Sequence, residues 1–255
     1  MAVRRLTEAL LDLFFPQVTC MVCGSGEKVR CGVCAKCREE MERYPLQDVC
    51  TICGKPSDGR EICLSCRADE PAYTAARAVY IYHGATRKLV QKMKFRGEYE
   101  LPVRLFSESM AEALYDLGWS VDCMLEVPST ARTIRKRGYN QAEKLVRRLH
   151  ALMGIPAVKD ALRKKRGTRS QVGLGAQERR ENLRGRILPG RGMRKIKGKR
   201  VLLIDDIYTT GSTAEECAKV LRQHGAAEVY VLCAARVAES ALERYLAGDR
   251  KCVEG

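Results

Sequence analysis

Residues 201–213 read Val201-Leu202-Leu203-Ile204-Asp205-Asp206-Ile207-Tyr208-Thr209-Thr210-Gly211-Ser212-Thr213. The apolar run from Arg200 to Ile204 is the pattern of a strand buried on both faces, as in a parallel sheet with helices on each side. Two carboxylates follow, then a loop of small hydroxylated residues around a glycine. A helical pattern then runs over 212–224, and Gly225 closes it. Gly211 permits close backbone approach. The N–H groups of residues 210–213 and the positive end of the helix form an anion site. Thr209, Thr210, Ser212 and Thr213 add hydroxyls suited to phosphate oxygens. Adjacent carboxylates repel phosphate but suit the vicinal hydroxyls of a sugar, so the stretch reads as a holder for ribose 5-phosphate. An ordinary strand–loop–helix turn needs neither the Asp pair nor the Thr-Thr-Gly-Ser-Thr run together.

Working outward, Glu228–Ala234 reads as the next strand, and a helix near 238–247 closes the chain. Upstream, Ala76–Tyr82 and Val121–Val127 read as strands, the second running into Pro128. Thr86–Phe95, Leu101–Leu117 (ended by Gly118) and Gln141–Leu152 (ended at Gly154) carry helical patterns. Strand and helix alternate, which predicts an α/β fold with a mostly parallel sheet flanked by helices.

The first 70 residues differ from the rest. They hold nine of the thirteen cysteines, in CxxC pairs. Cys20-Met21-Val22-Cys23-Gly24 is echoed by Cys50-Thr51-Ile52-Cys53-Gly54, and Cys34–Cys37 by Cys63–Cys66. Paired knuckles of this kind are a metal pattern rather than a disulfide framework. Cys31 also stands in a CxxC with Cys34. In the second copy the first and third cysteines are 13 apart; Cys34 gives 14 in the first copy and Cys31 gives 11. The expected ligands are therefore Cys20, Cys23, Cys34, Cys37 and Cys50, Cys53, Cys63, Cys66, as two structural Zn2+ sites, with Cys31 spare. Spacing alone leaves a cross-braced pairing open. A module this poor in apolar residues is expected to fold only with metal bound. The expected organisation is an N-terminal amphipathic helix over 1–17, a zinc-ribbon module over 18–70 and an α/β domain over 71–255.

Charge divides the opposite way. The chain carries 46 Lys+Arg against 31 Asp+Glu, a net +15, yet residues 1–70 hold 10 against 11. Residues 159–200 alone hold 16 basic and 3 acidic residues, and residues 130–150 hold 7 and 1. The excess lies on the α/β part, where a polyanionic ligand or single-stranded DNA is the expected partner. Aromatic residues are only 6% of the chain, which argues against a base-stacking surface. No apolar run reaches the roughly 18 residues of a membrane span. Glu8 and Asp12 interrupt the apolar N-terminus, which therefore reads as a helix rather than a signal peptide. The expected location is the cytoplasm, where thiols stay reduced. His83, His150 and His224 are isolated and carry no ligand pattern. Tyr208 is expected to pack beside the sugar.

The 201–213 stretch resembles the phosphoribosyl-pyrophosphate (PRPP) motif of type I phosphoribosyltransferases. With Lys92-Met93-Lys94-Phe95-Arg96-Gly97, Arg137-Gly138-Tyr139-Asn140-Gln141 and the Gln171…Leu174…Arg179…Asn182 pattern, the chain from Cys20 to Arg236 resembles the ComF family. That family joins a double zinc ribbon to a phosphoribosyltransferase-like domain and is linked with DNA uptake in natural competence. The resemblance implies that Asp205 and Asp206 bind ribose hydroxyls and that Thr209, Thr210, Gly211, Ser212 and Thr213 bind the 5-phosphate. It implies a pyrophosphate loop at Pro128, Ser129 and Thr130, with Arg132, Arg135 and Arg137 behind it. Mg2+ would accompany PRPP, and proteins of the competence machinery would be partners. Residues 163–182 would form a hood over the site; a solvated basic loop is the plainer reading of them. Two positions depart from the family: Glu126-Val127-Pro128 replaces a Pro-Val-Pro run, and Ser129-Thr130 replaces a Leu-His pair. The resemblance implies pentosyl transfer. The other reading is a non-catalytic protein that senses PRPP or a nucleotide, or holds single-stranded DNA, with the same pocket.

Overall fold

The computed structural model describes residues 19–57, 59–165 and 184–237. The N-terminal helix, the closing helix near 238–247 and most of the hood lie outside these. Four strands form one sheet: β1 (Ala75–Ile81), β2 (Cys123–Glu126), β5 (Arg200–Tyr208) and β6 (Glu228–Arg236). Their spatial order is β1-β6-β5-β2, and every pairing is parallel. β5 and β6 are central, and their runs 201–204 and 231–235 are buried without alternation, as a strand covered on both faces requires. A separate antiparallel pair joins β3 (Leu162–Lys164) to β4 (Ile187–Pro189).

Two cores flank the sheet. On one face lie α3 (Gly84–Gln91), α4 (Glu100–Leu117) and α6 (Gln141–Met153). α4 presents Val103, Phe106, Met110, Ala113 and Leu114 at helical spacing. α6 presents Leu145, Val146 and Leu149. All pack with Leu202 and Ile204. On the other face α7 (Ser212–Gln223) buries Ala214, Cys217, Ala218 and Leu221 against Val201 and Leu203. Between Gln91 and Gly97 the chain departs from the expected helix. Lys92–Arg96 is a π-helical turn. The widened turn buries Met93 completely and directs Lys94 toward Asp206. π-turns inside helices are often functional.

A second departure is α5 (Ala131–Arg137), a short helix where a loop is expected. It buries none of its residues, so no apolar period announces it. Its ends explain it: the Thr130 side chain accepts from the Thr133 N–H, and Gly138 closes it at φ 89°. The third departure is β5, which continues through both aspartates to Tyr208.

The cysteine-rich segment includes α1 (Ala35–Glu39) and α2 (Leu64–Ala68). It lies along β1, the edge strand. The Ala76 N–H donates to Ile52 O at 2.7 Å, Tyr44 N–H to Val79 O at 2.8 Å and Ile81 N–H to Glu42 O at 2.9 Å. Val33, Cys34, Cys37 and Met41 belong to the same core as α4 and α6. The ribbon thus covers a sheet edge that would otherwise expose unpaired backbone groups. Among the described residues, no helix is long and apolar enough to cross a membrane.

Candidate functional site

The site lies at the C-terminal ends of β5 and β2, where parallel sheets of this kind receive ligands. Glu126 pairs in register with Ile204, and the Val127 N–H donates to Ile204 O at 2.9 Å. The segment Pro128–Thr130 therefore begins one step from Asp205. The turn that the sequence reading assigns to pyrophosphate thus starts beside the first of the two aspartates.

The two aspartates occupy different surroundings. Asp206 is buried. It accepts from Lys94 Nζ at 3.0 Å and from Gln141 Nε2 at 2.9 Å. Burial alone would raise its pKa, but the Lys94 ammonium and the Gln141 amide outweigh it and hold the carboxyl below its ordinary value. Asp205 pairs in register with Cys233, and its charge acts on Cys217, Cys233 and Lys164. Burial and the neighbouring Asp206 charge push the Asp205 carboxyl up to about 8. Successive residues of a strand point to opposite faces. Asp206 therefore meets the α6 side and Asp205 the α7 side.

Gly211 ends the loop with φ 79°, and α7 begins at Ser212. The Thr210 and Ser212 hydroxyls lie 2.8 Å apart, and the Ser212 N–H donates to Thr210 Oγ1 at 3.4 Å. A Cβ on Gly211 would overlap the Tyr208 hydroxyl, so only glycine fits here. This corrects the expectation for Tyr208. The ring is buried beneath the loop instead of beside a sugar, and its hydroxyl lies 2.8 Å from that of Tyr73. The reversal of faces after Asp206 explains it: Ile207 packs toward the α4–α6 core and Tyr208 into the other.

Pro128, Ser129 and Thr130 form the turn into α5. Ser129 Oγ donates to Asn140 Oδ1 at 3.1 Å, and Asn140 Nδ2 donates to Val127 O at 3.0 Å. Arg132 is exposed on α5, and Arg137 donates to Gln141 Oε1. The Arg-Gly-Tyr-Asn-Gln run is thereby explained residue by residue. Gly138 ends α5, Tyr139 donates to Met93 O, Asn140 caps α6, and Gln141 reaches Asp206. Sequence reasoning quoted Lys94 and Gln141 within motifs but gave them no role. The available signal was a lysine and an amide inside otherwise patterned runs. Lys164 was also unassigned. It lies in β3 with its ammonium pKa lowered by burial.

The eight expected cysteine ligands fall into two groups, Cys20/Cys23/Cys34/Cys37 and Cys50/Cys53/Cys63/Cys66, with ligand atoms in each within 4.8 Å of one another. Pairing is sequential, which closes the cross-braced alternative. The Cys23–Cys34 and Cys53–Cys63 sulfurs lie 3.7 Å apart. A tetrahedral zinc with bonds of about 2.3 Å gives edges of about 3.8 Å, so the donor sets fit the metal. N–H groups of Val22, Cys37 and Cys63 donate to Cys20, Cys34 and Cys50 Sγ at 3.3–3.5 Å. Cys31 stands outside both groups, as expected.

The double zinc ribbon domain profile matches residues 10–67, and the phosphoribosyl transferase domain profile matches residues 132–252. Competence protein F of Haemophilus influenzae is 28% identical over 210 residues, covering 80% of this chain and 90% of that protein. The DNA utilization protein YhgH of Escherichia coli K12 is 28% identical over 213 residues, with the same two coverages. Competence protein ComFC of Bacillus subtilis is 25% identical over 209 residues, covering 76% of this chain and 80% of that protein. The chain thus joins a double zinc ribbon to a phosphoribosyl transferase domain and is similar over most of its length to these competence and DNA utilization proteins. The ribbon profile ends at Arg67, immediately after the last of the eight clustered cysteines. The transferase profile takes in α5, the Arg-Gly-Tyr-Asn-Gln run and the aspartate loop.

Proposed function

We propose that this chain binds PRPP with Mg2+ and transfers its phosphoribosyl group to an acceptor, in a role tied to DNA uptake. The single observation that carries the reading is the juxtaposition at the C-terminal ends of β5 and β2. A Gly211-bent loop of hydroxyls opens α7 after two aspartates, and the Pro128–Thr130 turn starts beside the first of those aspartates. Thr209–Thr213 would receive the 5-phosphate through backbone N–H groups and hydroxyls. The aspartate pair would face the ribose hydroxyls. Of the two, Asp205 has the weaker hold on existing partners. The relatives' names, competence and DNA utilization proteins, supply the biological setting.

In the transfer, the bond from the anomeric carbon to a pyrophosphate oxygen breaks and a bond to the acceptor forms. The electron pair leaves with pyrophosphate, and the acceptor's proton passes to solvent. The transition state resembles an oxocarbenium ion, so placed cations on the departing side lower the barrier. Arg132, Arg135 and Arg137 stand behind the turn for that purpose. Mg2+, an oxygen-seeking cation, would neutralise pyrophosphate charge. The test is calorimetric titration of the zinc-loaded protein with PRPP and Mg2+, followed by pyrophosphate release on adding nucleobases. Binding without release converts the reading to a sensor. Absence of binding overturns it.

One observation favours a second role. α5 presents Arg132, Arg135 and Lys136 to solvent and buries nothing. Such a stripe suits the phosphates of single-stranded DNA. Reversing these three charges should flatten the salt dependence of DNA binding. Asp205→Asn should leave DNA binding unchanged.

A further inference from the structure

The two zinc sites are built differently against the α/β domain. In the first, the knuckle glycine Gly24 has no atom within 4 Å of a Cβ position. In the second, the equivalent Gly54, at φ 69°, presses on β1. A Cβ there would lie 2.5 Å from Ala76 O and 3.4 Å from both Arg236 Nη1 and Arg77 Cδ. Two arginines are buried at this junction, Arg77 and Arg236, at 8% and 3% exposure. Four thiolates around Zn2+ carry a net charge of −2, and buried charge requires compensation. Arg77 donates to Ala76 O at 2.9 Å and Thr51 O at 3.2 Å, and its buried Nε has no partner. Arg236 donates to Cys53 O, the carbonyl of a zinc ligand, at 2.5 Å.

Arg236 is also the last residue of β6 and pairs with Tyr208 at the end of β5. Its guanidinium lies 4.4 Å from the Tyr208 ring centre and 5.4 Å from that of Tyr44. Tyr208 in turn fills the space under Gly211. An unbroken path therefore runs from Cys53 through Arg236 and Tyr208 to the bend of the phosphate loop. We infer that the second zinc site is the rear support of that loop, with Arg236 and Tyr208 as positioning residues, so that metal at Cys50/Cys53/Cys63/Cys66 sets how well ordered residues 209–213 are. The first site meets the α/β domain elsewhere, with Cys20, Cys34 and Cys37 packed in the α4–α6 core. The inference rests on reading 209–213 as the phosphate loop. What it adds is a link between metal occupancy of one ribbon and ligand affinity in the other domain.

The experiment uses the full chain, with zinc counted per molecule. Cys63→Ser/Cys66→Ser removes the second zinc, and Cys34→Ser/Cys37→Ser removes the first. Arg236→Gln breaks the path without touching a ligand. Amide hydrogen exchange over 209–213 and titration with ribose 5-phosphate are the readouts. The second-site variant and Arg236→Gln should speed exchange at 209–213 while the 201–204 amides of β5 stay protected. They should weaken ribose 5-phosphate by about tenfold, a typical coupling between linked sites. Arg236→Gln should retain both zinc ions, and the first-site variant should leave the loop as in the parent. Should the second-site variant fail to fold, Arg236→Gln decides alone. Parent-like exchange at 209–213 in a folded Arg236→Gln overturns the inference, as does equal acceleration in both cysteine variants. If the parent itself binds no ribose 5-phosphate, the ligand reading falls, and the exchange comparison still decides the coupling.

Discussion

Asp205 and Asp206 are neighbours in sequence with opposite titration behaviour, and this has a consequence for stability. Burial and the Asp206 charge hold the Asp205 carboxyl up at about 8. Burial likewise holds Glu126, across the strand pair, up at about 7. A raised carboxyl binds its proton more tightly folded than unfolded. Its contribution is complete below the unfolded value of about 4 and is lost as pH rises through the folded value. Asp206, held low, acts in reverse and loses its contribution only in acid. The ligand-free protein should therefore lose stability between about pH 5 and 8. Asp205→Asn combined with Glu126→Gln should flatten that slope in thermal denaturation across the same range. An unchanged slope would show that these carboxyls are ionised throughout. Gly211 supports a second residue-scale expectation. Gly211→Ala meets both a φ of 79° and the Tyr208 hydroxyl. It should destabilise by more than the ~1 kcal/mol of an ordinary left-handed strain, measured by urea denaturation. The Asp pair and Gly211 were legible in the sequence because each is a residue type with a local reason. Their division between two faces was also implicit in strand alternation. What was hidden was the partner of each, because Lys94 and Lys164 arrive from distant parts of the chain.

At the scale of elements, the site is held by two short irregularities that periodicity does not reveal. The π turn Lys92–Arg96 continues an apolar pattern that predicts an uninterrupted helix, and one extra residue in the turn leaves no mark on composition. α5 has a single large apolar residue, Ile134, and only its caps betray it. The longer elements, α4, α6, α7 and the central strands, were legible because each buries a repeated apolar face. The π turn delivers Lys94 to a buried carboxylate, and removing one partner of a buried pair leaves an uncompensated charge. Lys94→Met should cost about 3 kcal/mol, at the low end for buried pairs because Lys94 keeps 20% side-chain exposure. Asp206→Asn in the same background should recover most of that loss. The interaction energy from the four-protein cycle measures the pair. Simple additivity would mean that Lys94 acts on stability through the turn alone.

For the whole molecule, the sequence suggested a metal-dependent module joined to an α/β domain, with each folding on its own account. The eight ligands were legible because CxxC repeats are local. The docking was not, because it depends on which strand ends up at the sheet edge. β1 is that strand, and the ribbon supplies its partners through Ile52, Glu42 and Val79–Tyr44. The ribbon also contributes Val33, Cys34, Cys37 and Met41 to the α4–α6 core. Zinc removal should therefore do more than unfold residues 19–68. It should uncover a strand edge whose residues 75–80 are all buried in the intact protein, and such an edge pairs with other chains. Chelation should produce protein that retains helical circular dichroism from α4, α6 and α7 yet self-associates in proportion to its concentration. Light scattering after chelation, with and without zinc restored, measures this. A chelated protein that stays monomeric and keeps its full thermal stability would show that the edge is closed by the α/β domain itself. The ribbon would then be an appendage rather than the fourth wall of the core.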